Sequence, residues 1–242
     1  WIKNYSKQSG INTLVVGISG GVDSALTSTL CAETGLNTIL VSMPIKQNPQ
    51  QLERANNHIS FLVEKYKNVT AVEKDLTGVY EEFEHVFSNK SPNYLALANS
   101  RARLRMTSLY YIAQANNGLV VGTGNKVEDF GVGFFTKYGD GGVDISPIAD
   151  LLKSEVRTLA QKLGVAKQIL QAPPTDGLWE DDRTDEDQLG ATYNELEWAM
   201  NYTGEDCITD REKDVIKIYE KFNKQNKHKM VSIPVCKIER GL

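Results

Sequence analysis

One hexapeptide concentrates the chemistry near the start of the chain: Ser19-Gly20-Gly21-Val22-Asp23-Ser24. The two glycines allow close backbone approach to a ligand, and a following helix contributes free N–H groups. Together they form a concave nest for phosphate oxygens. Ser19 and Ser24 add hydroxyl donors. Asp23 would repel a bare phosphate, so its presence points to a magnesium ion between carboxylate and phosphate. The loop has no lysine for a G-x-x-x-x-G-K-[ST] pattern, nor does it fit G-x-G-x-x-G. Taken alone, the segment also reads as an ordinary glycine turn with Ser24 as a helix N-cap.

Other chemistries are poorly supported. Cys31, Cys207 and Cys236 are odd in number, far apart and in no metal-ligand spacing. No Ser/His or Cys/His nucleophile pattern stands out. His58 and His85 fall on expected helices and read as structural.

The elements that must position the loop follow from periodicity. Thr13 to Ile18 is a short β-branched run of the kind buried on both faces of a parallel sheet. Further strands are expected at Thr38 to Met43, Val69 to Val72 and Leu119 to Gly122. Helices are expected at Ala25 to Thr34 (with Gly35 as its C-cap), Gln50 to Tyr66, Leu76 to Phe87, Asn93 to Ala115, Lys153 to Leu163, Asp187 to Met200 and Asp210 to Asn223. Strands alternating with helices predict a doubly wound parallel α/β sheet flanked by helices, in which ligands bind beyond the carboxyl ends of the strands. Thr123 to Asp144 reads as a structured loop or site segment, and Pro173 to Glu186 as a mobile loop.

Ser-Gly-Gly-x-Asp-Ser after the first strand resembles the loop of the ATP pyrophosphatases, which cleave ATP to AMP and pyrophosphate. The second half narrows the likeness. Val121-Gly122-Thr123-Gly124-Asn125-Lys126-Val127-Glu128-Asp129, then Gly133-Phe134-Phe135-Thr136-Lys137-Tyr138-Gly139-Asp140-Gly141-Gly142-Val143-Asp144, closely resembles the NAD+ synthetase family. So do Pro147 with Lys153, Pro174-Thr175-Asp176, Asp185-Glu186 to Leu189-Gly190, and His228-Lys229. The resemblance covers almost the whole chain in family order. It implies an adenine nucleotide alpha-hydrolase-like, Rossmann-like fold and an ammonia-dependent ligase. Such a ligase adenylates the nicotinate carboxylate of deamido-NAD with ATP, and ammonia then displaces AMP.

Carried over residue by residue, the resemblance assigns ATP to Gly17, Ile18, Ser19, Gly20, Gly21, Val22, Asp23, Ser24, Thr123, Lys153 and Thr175. It assigns magnesium to Asp23 and Glu128, and deamido-NAD to Arg103, Lys137, Asp144, His228 and Lys229. Lys153 would stabilise charge developing on the phosphates. Asp140 would hold or deprotonate ammonium, which must lose a proton before it attacks; a turn Asp beside glycines is the alternative. Arg101 and Arg105 read as surface or interface ion-pairing residues. Phe134 and Phe135 would flank the nicotinate ring or join the core. Two departures stand out. Val22 replaces a Gln of several ammonia-dependent members. The Asn125 to Asp129 segment differs from an Asp-His-Ala-Ala-Glu version and is one residue longer before Phe134.

Composition bounds the rest. The chain has 242 residues, 40% of them hydrophobic, and a formal net charge of −4, so neither a nucleic-acid partner nor a membrane span is expected. A single synthetase domain over 1–242 is expected, with no glutaminase domain and no leader, although Trp1 rather than Met stands first. The cysteines suit a cytoplasmic location. By family, a homodimer is expected, with the Asn93 to Ala115 helix (Leu95, Leu104, Leu109, Tyr110, Tyr111) either at the interface or covering the sheet. Two alternatives stay open: another ATP pyrophosphatase with a different acceptor, and a silent nucleotide-binding protein.

Overall fold

The computed structural model describes residues 1–87, 93–175, 184–204 and 207–238. The four β-branched runs form β1 (Thr13–Gly17), β2 (Asn37–Ser42), β3 (Val69–Glu73) and β4 (Gly118–Val121). All pair in parallel in the order β3-β2-β1-β4, with Val15 opposite both Ile39 and Val120. The chain steps outward from β1 through α2 (Val22–Glu33), β2 and α3 (Pro49–Lys65) to β3. It returns through α4 (Thr77–Val86) and α5 (Tyr94–Ala115) to β4, on the other side of β1. That reversal opens a crevice beyond the carboxyl ends of β1 and β4, where a ligand can enter.

Alternation along the strands builds a core on each face. Leu14, Val16, Leu40, Leu119 and Val121 pack with Cys31, Ala55, Ile59 and Leu62 of α2 and α3. Val15, Val41 and Val120 point the other way, against Ile112 and Ala113 of α5. Each such aliphatic side chain contributes about 1.5–3 kcal/mol on burial. A third cluster joins Ala25 and Leu26 of α2 to Val156 and Ala160 of α6 (Lys153–Lys162), and to Ile169 of the short α7 (Lys167–Leu170).

The expected elements need four corrections. An unexpected α1 (Ile2–Ser9) packs Ile2 onto the sheet core. The helix read as Asp187 to Met200 is two, α8 (Asp185–Leu189) and α9 (Tyr193–Asn201), because Gly190 takes a left-handed turn at φ +77° and Thr192 caps a new start. The last helix, α10, runs Asp210–Met230, beyond the expected Asn223, so His228 and Lys229 lie on its final turn. Within the segment read as loop, Val127–Val132 forms a π-helix. A π-turn holds one more residue than an α-turn, which absorbs the extra residue between Glu128 and Phe134. Of the loop read at Pro173 to Glu186, residues 176–183 lie outside the described residues. Among the described residues no helix is long and apolar enough to cross a membrane.

Candidate active site

The glycine loop is tied by its own hydrogen bonds. Gly20 adopts φ +83°, and a Cβ there would meet the Gln51 carbonyl at 2.5 Å, so both the backbone and the space demand glycine. Gly21, not Ser24, is the N-cap of α2. Ser24 sits inside the first turn, where its hydroxyl donates to the Gly21 carbonyl at 3.0 Å and accepts from the Ser19 N–H at 3.3 Å. The Gly21 N–H in turn donates to Ser19 Oγ at 3.2 Å. The loop therefore faces the crevice with its conformation set before any ligand arrives.

The crevice is a cavity of about 590 Å³. Every residue assigned to ATP borders it, from Gly17 to Ser24 together with Thr123, Lys153 and Thr175. So do Glu128, Asp140, Arg103, Lys137, His228 and Lys229, while Asp176 lies outside the described residues. Asp144 does not border it. Its carboxylate accepts from the Val120 N–H at 2.8 Å and the Tyr110 hydroxyl at 3.0 Å, which ties the segment after the π-helix to β4.

At the cavity floor Lys153 is buried, 3% exposed, rather than solvated as a lysine at a helix start usually is. Its Nζ reaches Asp23 Oδ2 at 2.6 Å and Glu128 Oε1 at 2.9 Å. Burial alone would lower the Lys153 pKa, but the two carboxylates outweigh it and hold the ammonium above its ordinary value. Glu128 is likewise disfavoured by burial yet ends below its ordinary value, because Lys153 and the Tyr193 hydroxyl stabilise its charge. Asp23 ends raised, burial outweighing Lys153.

Two side chains in this network carried no assignment. Asn125, fully buried, donates from Nδ2 to Asp23 Oδ1 at 3.0 Å. Its Oδ1 accepts from the Val127 and Glu128 N–H groups, so one amide ties both carboxylate-bearing segments together. The signal was an Asn just ahead of a helical turn. Tyr193 donates to Glu128 Oε1 at 2.5 Å and to Asp185 Oδ2 at 3.3 Å, and its ring lies 4.7 Å from Lys153 Nζ. Nothing in the residues around Tyr193 foretells this, since α9 brings it 65 positions back to Glu128.

The residues fit a magnesium ion. Asp23 and Glu128 both reach one ammonium, so two hard oxygen donors converge on a point beside the phosphate nest. Among the described residues no set of three or more His, Cys, Asp or Glu side chains forms a cage. A cation here would complete its shell with phosphate oxygens and water, as magnesium does.

Farther up the cavity, Asp140 does what a turn Asp does, accepting the Thr136 N–H at 2.9 Å, while its carboxyl also borders the cavity. Enclosure by protein raises its pKa, and neighbouring Glu128 adds to this. Asp129, against Gly124, is pushed up to about 8 by burial and then by Glu128, Asp140 and Asp23. The cationic rim is knit together. Arg103 donates to the Lys137 carbonyl, Lys137 Nζ to the His228 carbonyl at 2.7 Å, and Lys229 Nζ to the Phe135 carbonyl at 2.7 Å. Phe134 and Phe135 both border the cavity, Phe134 also packing against the core below. The surface ion-pairing role read for Arg105 is not what the structure shows. Its Nε donates to the Met43 carbonyl and its Nη2 to Gln47 Oε1, each at 3.0 Å, inside the cavity. Arg101 stacks on Tyr80, 4.7 Å from the ring centre.

Residues 1–233 match the family described as NAD synthase. The NH(3)-dependent NAD(+) synthetase of Finegoldia magna is 38% identical over 231 residues, covering 95% of this chain and 89% of that protein. Among solved structures, the NMN synthetase from Francisella tularensis superposes with a TM-score of 0.88 at 30% identity, over 98% of this chain and 94% of that one. An NH3-dependent NAD synthetase from Campylobacter jejuni does so with 0.76 at 26% identity, over the same shares.

Proposed function

The chain belongs to the NAD synthase family, and from that premise we propose that it is the ligase that joins ammonia to the nicotinate carboxylate of deamido-NAD at the expense of ATP. A carboxylate is a poor electrophile. Attack of one of its oxygens on the ATP α-phosphorus forms an acyl adenylate and expels pyrophosphate; ammonia then adds to the acyl carbon and AMP leaves with the former carboxylate oxygen. The observation that carries this reading is the convergence of Asp23 and Glu128 on Lys153 beside a preformed phosphate nest in one cavity.

The nest of Ser19 to Ser24 binds the phosphates through backbone N–H groups, and this fixed array of dipoles favours the pyrophosphate charge as it develops. Asp23 and Glu128 would hold the magnesium ion, which when bound neutralises phosphate charge. Lys153 holds both carboxylates in position and favours the charged form of Glu128. Asp140 takes a proton from ammonium at the cavity wall, its raised pKa bringing it nearer to the working pH than a solvated carboxylate. Arg103, Lys137, His228 and Lys229 form a cationic rim for the phosphates of the pyridine nucleotide.

The protein acts as a homodimer. Supporting this, α5 leaves Tyr94 and Tyr111 exposed although its other side covers the sheet. Three free cysteines suit the reducing cytoplasm.

A second reading is favoured by the fold match to an NMN synthetase. In it the same chemistry acts on the mononucleotide, nicotinic acid mononucleotide, and the product is NMN. Parallel assays of kcat/KM with deamido-NAD and with the mononucleotide decide between them. A preference for deamido-NAD supports the first reading, a preference for the mononucleotide the second, and no amide from either contradicts both.

A further inference from the structure

The face of α5 turned to the cavity mixes polar Asn99, Arg103 and Arg105 with apolar Ala102, Met106 and Leu109. Arg105 has Ala102 three positions before it and Leu109 four after it on the same helix side. Its guanidinium spends Nε on the Met43 carbonyl, at the end of β2, and Nη2 on Gln47. Both partners are neutral, and no carboxylate pairs with it among the described residues. Nη1 has no hydrogen bond to any of them.

A guanidinium cannot shed its charge at any physiological pH. Enclosing it without a counter-ion costs free energy that a fold normally avoids by pairing it. Burial, with Arg101 nearby, brings Arg105 down to about 10, while the Asp140 carboxylate partly offsets this. A cation clamped by two neutral acceptors, with one edge left over and its face on the cavity, is built to meet an anion that is not part of the protein.

We infer that Arg105 is a substrate-contacting residue whose unused edge binds an oxyanion of a nucleotide held in the cavity. The assignment rests on the ligase reading. The shared chemistry is an oxyanion that presents two acceptor oxygens, phosphate or carboxylate, which the planar guanidinium fork matches and a lysine ammonium would not. The oxyanion belongs either to ATP or to the pyridine nucleotide. Both must come together in this cavity, which Asp140 also borders.

The test is calorimetric titration of the whole chain, wild type, R105Q and R105K, with two separate probes: α,β-methylene ATP with magnesium, and deamido-NAD. Loss of a charge-assisted hydrogen bond predicts that R105Q binds one probe about tenfold or more weakly. Loss of ATP analogue binding alone assigns the oxyanion to ATP, and loss of deamido-NAD binding alone assigns it to the pyridine nucleotide. Loss of both at an unchanged melting temperature assigns it to the junction of the two. Should R105Q not fold, R105K carries the test, because it keeps the charge without the fork and is expected to weaken the same probe by about threefold or more. Binding of both probes within about twofold of wild type overturns the assignment, as does an equal loss that tracks a lowered melting temperature. A wild-type protein that binds the ATP analogue through Arg105 yet makes no amide would leave the assignment standing and refute the ligase reading.

Discussion

Lys153 Nζ lies 2.6 Å from Asp23 Oδ2 across 130 positions of sequence, and the same ammonium reaches Glu128. Lys153 is also the first residue of α6, where the helix dipole disfavours a cation by about 0.3–1 kcal/mol. The two carboxylates overcome that bias, and they do so at the point where a phosphate-bound cation would sit. The lysine thus stands in for positive charge between two acids that would otherwise repel each other.

K153M removes the charge but keeps an unbranched apolar stem. It leaves Asp23 and Glu128 facing each other in a buried site, a loss expected to cost about 3–5 kcal/mol. Magnesium restores a positive charge between them, so its addition should raise the melting temperature of K153M more than that of wild type. Equal shifts in thermal unfolding with and without magnesium would refute the idea that the carboxylates converge on a cation site.

G20A probes the nest. The left-handed backbone alone costs a non-glycine residue about 1–2 kcal/mol, and the new Cβ would press on the Gln51 carbonyl. Chemical denaturation should show at least this loss, and titration with an ATP analogue should show a larger loss of affinity than of stability. An alanine variant that binds as wild type would mean that the loop does not cradle the phosphates in this conformation.

How far the residues foretold this site depends on distance along the chain. The nest and β1 are local, and their residues state them: two glycines after a β-branched run can do little but turn. Glu128 and Lys153 were legible only through resemblance, since nothing near either says that they share a partner. Tyr193 and Asn125 join them through tertiary packing of α9 and the π-helix, which no local periodicity records. Arg105 was misread because a charged residue on a helix is usually solvated; the clue passed over was apolar Ala102 three positions before it and Leu109 four after it. The split at Gly190 was readable as a left-handed glycine, but the continuing apolar pattern hid it. Asp144 matched the family pattern, yet its carboxylate is engaged with β4 and Tyr110 away from the cavity.

His58 ties stability to pH. Buried on α3 with its Nε2 3.0 Å from Ser28 Oγ, it is held down to about 4 from an ordinary 6.5, chiefly by burial. Between these values the unfolded chain binds a proton that the folded protein refuses. Stability from this residue is therefore complete above pH 6.5 and falls as the pH descends toward 4, by up to about 3 kcal/mol. Urea unfolding across this range should show the decline, and H58Q should flatten that part of it. An unchanged slope in the variant would show that other groups carry the acid sensitivity.

The central claim is that the nicotinate carboxylate is activated by transfer to the ATP α-phosphorus. Acceptor labelled with oxygen-18 in that carboxylate, turned over with ATP, magnesium and ammonium, tests it directly by mass spectrometry of the products. Adenylation predicts one labelled oxygen in each AMP released, none in pyrophosphate, and AMP equal to amide formed. Unlabelled AMP, or label appearing in inorganic phosphate beside ADP, would contradict it.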